Sequence, residues 1–81
     1  MAVPTISGVP GQYRLFFYSF DCGERPHVHV QRESRICKFW LRPVRLAQGG
    51  RFGMRDLFAI ETLILQHLEL IEAAWNEHCG S

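Results

Sequence analysis

The 81 residues contain no run of roughly 18 apolar positions, so no transmembrane helix is expected. The opening MAVPTISGVPGQ has neither a basic start nor a long apolar stretch, which argues against a secretory leader. No Walker or dinucleotide glycine pattern occurs, nor a nucleophile elbow, a serine-triad spacing or a Cys-x-x-Cys pair. GGRFG, at 49–53, is glycine-rich without matching either phosphate motif and reads as a turn ahead of a helix. Cysteine is scarce and odd in number: Cys22, Cys37 and Cys79. With no export signal, that predicts reduced thiols in a cytoplasmic protein, with Cys37 a small core residue. Disorder is excluded by a hydrophobic content of 47%. The length suits one domain over residues 1–81.

Lysine is nearly missing, and cations are missing altogether from the last third. Eight of the nine basic residues are Arg, and all nine lie within residues 1–55. Only Asp21, Glu24 and Glu33 oppose them there, for a net +6, whereas residues 56–81 carry −5 with no Lys or Arg. A chain split this way does not coat nucleic acid uniformly. It offers a basic face to one partner and an acidic face to another, or neutralises itself within one chain or in a homodimer.

The order of patterns predicts strands followed by a helix. YRLFFYSF (13–20) is aromatic-rich and strand-like, and DCGERP (21–26) is a polar turn. His27–Gln31 alternates, with Val28 and Val30 on one face and His27, His29 and Gln31 on the other. After a turn at Glu33 and Ser34, Cys37, Phe39 and Leu41 share one face, and Ile36, Lys38 and Trp40 share the other. Pro43 interrupts before VRLAQ (44–48), a short edge strand. From Met54 to about His78, Leu57, Ile60, Ile64, Leu68, Ile71 and Trp75 recur at steps of three and four, and Gly80 is the stop signal. Arg51 and Arg55 at the start and Glu72 and Glu77 near the end oppose the dipole of a single helix, which packing must then hold. The fold class is α+β: a three- to four-stranded antiparallel sheet packed on one long C-terminal helix.

If Gln31 opposes Ile36 in a hairpin, His29 opposes Lys38 and His27 opposes Trp40, all on the face away from the helix. Arg14, Phe16 and Tyr18 join that face from the first strand. As metal ligands, His27 and His29 project the same way about 6.6 Å apart, with Asp21 or Glu24 as a third donor. The chain offers no third ligand at a diagnostic spacing, so no metal and no cofactor is assigned. As catalysts, His27 and His29 are the base and acid of a metal-independent ribonuclease, with Lys38 or Arg32 stabilising the phosphate. As a binding surface, Tyr18 and Trp40 supply stacking area and Arg32 a charged contact. The plain structural alternative pairs His27 with Trp40 and His29 with a loop carboxylate. His67 and His78 are surface or packing residues.

The segments YRLFFYSFDCGERPHVHVQRE, CKFWLRPVRLA and AWNEHCG, with the opening VPTI, resemble a small bacterial family known as domain of unknown function 4160. Its hallmark positions correspond to Pro26, His27, His29, Lys38, Phe39 and Trp40. The chain departs from the family where Cys22 replaces a common Gly and Arg25 a common Pro, and where His78 and Cys79 replace a Tyr or Phe. Genes of the family often stand beside those of another small family in toxin–antitoxin-like pairs. The resemblance therefore implies a protein partner encoded nearby; the residue pattern would have it met through the sheet face, with Tyr18, Arg32 and Trp40 in contact, or through the acidic helix. The alternative is the ribonuclease, the toxin half, using His27, His29 and Lys38. A homodimer and a nucleic-acid ligand stay open; a membrane does not.

Overall fold

The computed structural model describes residues 5–9 and 11–80. The Val3–Pro4 part of the VPTI motif lies outside them. Four strands, β1 (Arg14–Phe16), β2 (His27–Arg32), β3 (Arg35–Leu41) and β4 (Val44–Gln48), form one antiparallel sheet in the order β1-β2-β3-β4. Two helices follow, α1 (Met54–Gln66) and α2 (Leu68–Cys79). This is the α+β class. Among the described residues no helix is long and apolar enough to cross a membrane.

The predicted hairpin register holds at every pair: His27 faces Trp40, His29 faces Lys38 and Gln31 faces Ile36. Alternation dictates this, because slipping one residue would turn Val28 and Val30 away from the core. Val28, Val30, Cys37, Phe39 and Leu41 are all buried, and they meet Ile60, Ile64, Ile71 and Trp75 from the helices. The first strand is shorter than the predicted 13–20. The Asp21 carboxylate accepts the Tyr18 N–H at 2.7 Å, and the Asp21 N–H donates to the Tyr18 carbonyl at 3.1 Å. That local pairing competes with strand extension and closes a 3-10 turn at Asp21–Gly23.

The single predicted helix is two nearly continuous ones. His67, at φ −120° and ψ 23°, leaves helical geometry, yet its N–H bonds the Leu63 and Ile64 carbonyls and its carbonyl accepts the Ile71 N–H. The break places Glu69 in the first turn of α2 and His78 in its last, the arrangement the dipole favours. Gly80, left-handed at φ 73°, ends the helix as predicted. The basic and acidic parts of the chain meet within it, since Arg42 donates to Glu72 at 2.8 Å.

The cysteine reading is corrected at two of three positions. Cys22 and Cys79 form a disulfide, and only Cys37 is a free, buried thiol. An odd count forbids neither a bond nor a leftover thiol. Pairing needs Cα atoms about 4.4–6.8 Å apart, and the fold brings these two to 5.4 Å.

Candidate functional site

The site sits where β2 begins, under the connection that runs from Phe17 to Pro26. Alternation aims His27 and His29 off the sheet on the side away from the core, but that side is not open at this end. The 3-10 turn carries Asp21 over the strand, and the Trp75 ring of α2 comes within 5.2 Å of the His27 ring. His27 is fully buried, Asp21 is 2% exposed, and the His29 side chain is 12% exposed. The expectation that both imidazoles lie on a free surface is therefore corrected for His27, because the polar turn folds back instead of projecting.

Asp21 Oδ2 is the centre of the group. It lies 3.2 Å from His27 Nε2 and 3.2 Å from His29 Nε2, and it accepts the Tyr18 N–H. Neither contact has hydrogen-bond geometry, and both nitrogens are enclosed without another polar partner. The other side of the His27 ring is settled: Nδ1 lies 2.8 Å from the Arg25 carbonyl oxygen. A carbonyl can only accept, so Nδ1 carries a proton. The remaining face of each ring is packed by aromatics. His27 and His29 meet edge to face at 5.1 Å, and Phe16 stacks on His29 at 5.4 Å.

Burial pushes the His29 imidazole below its ordinary pKa, although the Asp21 carboxylate opposes that. Lys38 donates to Glu24 at 2.8 Å, and this bond is the main reason the Glu24 carboxyl lies below its usual value. A second convergence of donors, Cys22, His78 and Cys79, lies beside the first, but its two sulfurs are bound to each other.

Of the residues singled out from sequence, His27, His29, Lys38, Tyr18 and Trp40 gather at this end of the sheet. The Tyr18 ring meets His29 at 4.7 Å and Trp40 meets His27 at 5.7 Å. Arg25 and Lys38 both lie over the Trp40 ring, each 4.5 Å from its centre. Arg32 is not among them: it ends β2, beyond His29, and lies over Tyr13. The sequence reading named Asp21 only as an optional third donor beside Glu24; the structure makes it the hub and turns Glu24 to Lys38. A further feature escaped the periodicity: Met54, Phe58 and Leu65 are 86%, 73% and 54% exposed. They are apolar positions of the helical segment that the core stripe does not use, and that surplus was the available signal.

A comparison with curated proteins and one with solved structures give no match to this chain. A family model does match, covering residues 13–76, a span that includes the whole sheet, the Asp21–His27–His29 group and most of both helices. The chain belongs to the family described as domain of unknown function DUF4160.

Proposed function

We propose that the protein is one component of a two-gene, toxin–antitoxin-like module and acts by binding the protein encoded beside it. The observation that carries this reading is the uncovered apolar stripe of α1. Met54, Phe58 and Leu65 fall within about 40° of one another around the helix at 100° per residue, and all three face outward. Large apolar side chains clustered on a small domain mark an interaction surface. On the helical wheel Glu61 borders the stripe on one side and the exposed Arg55 on the other. The partner it fits presents an apolar patch.

Between the two surfaces offered by the sequence, geometry favours the helix. Tyr18 already meets Phe16, Phe20 and His29, Trp40 is flanked by Arg25 and Lys38, and Arg32 lies over Tyr13. Co-expression with the neighbouring gene, native mass spectrometry and calorimetry test the reading. A one-to-one complex is expected, weakened at least tenfold by Phe58→Asp and little by Trp40→Ala. A bare monomer, a homodimer that Phe58→Asp splits, or a complex that Phe58→Asp leaves intact contradicts it.

A second reading, the small ribonuclease, rests on His29 beside Lys38: a partly exposed imidazole whose pKa burial lowers, opposite a cation in the sheet. His27, fully enclosed, contributes there only by positioning Asp21. RNA cleavage that survives a chelator and is lost in His29→Ala supports it; no cleavage by the wild type removes it.

A further inference from the structure

We infer that Asp21, His27 and His29 form a binding site for one divalent transition-metal ion of the zinc or ferrous class. The inference stands apart from the partner reading and rests on which atoms face each other. His27 Nδ1–H is committed to the Arg25 carbonyl, which leaves Nε2 as the ring's free donor position, aimed at Asp21 Oδ2 3.2 Å away without hydrogen-bond geometry. Two lone pairs facing each other where water is excluded repel unless positive charge lies between them. His29 Nε2 converges on the same oxygen at the same 3.2 Å. One proton serves one nitrogen–oxygen edge. A cation serves both edges at once.

The spacing fits that ion. Zinc holds imidazole nitrogen and carboxylate oxygen at about 2.0–2.2 Å, which sets neighbouring ligands of a four-coordinate centre about 3.3 Å apart. The two measured edges are 3.2 Å, and all three donor atoms lie within 4.8 Å of one another. Two imidazoles and one carboxylate select zinc, iron and related ions over calcium or magnesium. The outer bonds are those that orient metal ligands: a backbone carbonyl on the far nitrogen of His27, and a backbone N–H on the carboxylate. The donor nitrogens of both rings and the Asp21 side chain are enclosed.

The test uses untagged, disulfide-intact protein, stripped with a chelator that is then dialysed away. Titration with Co²⁺, followed by visible absorption and then by Zn²⁺ competition, is expected to saturate at one equivalent per chain. His29→Ala, at the most exposed of the three positions, should weaken binding at least tenfold while the metal-free protein keeps its circular dichroism and melting temperature. His78→Ala should bind like the wild type. X-ray absorption of the Zn²⁺-loaded wild type needs no variant and should report two imidazoles with oxygen completing the shell. Absence of stoichiometric uptake, uptake unchanged in His29→Ala, loss of uptake in His78→Ala, or sulfur in the shell would each overturn the assignment.

Discussion

Cys22, in the 3-10 turn, is bonded to Cys79, in the last turn of α2, across 57 positions of sequence. The bond ties the turn that carries Asp21 to the end of the chain, so the hub of the site is held from both sides: by the Tyr18 backbone and by the neighbouring cysteine. Closing a loop of that length stabilises the folded state by about 4 kcal/mol in the chain-entropy account. Cys79→Ser, measured by denaturant unfolding without reductant, should lose roughly 2–5 kcal/mol. It should also release Asp21 from His29, seen as increased exchange of the Tyr18 amide.

Gly50 has a φ of +59°, and a Cβ there would stand 1.7 Å from the Ile36 carbonyl oxygen. The backbone of the turn into α1 passes so close to β3 that no side chain fits, and the obstacle is main chain that cannot swing aside. Gly50→Ala should therefore leave little folded protein at 25 °C. A far-ultraviolet spectrum and a melt check this, and a variant melting within a few degrees of the wild type contradicts it. Gly53→Ala is the control, because nothing lies within 4 Å of a Cβ at that position.

Burial pushes the Cys37 thiol up to about 11. The folded state thus holds its proton more tightly than the unfolded chain, whose thiol titrates near 8.5. Stability from this group is full below about pH 8.5 and falls as pH rises toward 11. At pH 8 the folded protein should resist alkylation, and labelling should follow global unfolding. Cys37→Ala should remove this alkaline loss of stability.

Much of the sheet was legible because its physics is local. Two alternating runs, 27–31 and 36–41, fix which faces are apolar, and a one-residue slip would bury Lys38 and expose Val30. The stripe of Ile60, Ile64, Ile71 and Trp75 was legible for the same reason. The break at His67 was not, since neither Gly nor Pro marks it and the apolar spacing runs straight through. Nor was the placement of Asp21, which depends on the Cys22–Cys79 bond and on Trp75 closing the end of the sheet; both are contacts between distant parts of the chain. The histidine pair was visible as a motif. Its burial was not, because alternation says which way a side chain points and not what folds over it.

The central claim is that His27 and His29 aim two ring nitrogens at one carboxylate oxygen and together with it hold a metal ion. Side-chain ¹H–¹⁵N correlation spectra of the four histidines, recorded with and without one equivalent of Zn²⁺, test it most directly. The account predicts a proton on Nδ1 of His27, and on adding Zn²⁺ a shift of Nε2 to the metal-bound range for His27 and His29 while His67 and His78 stay unchanged. A proton on Nε2 of neutral His27, or spectra that Zn²⁺ leaves unaltered, would contradict it.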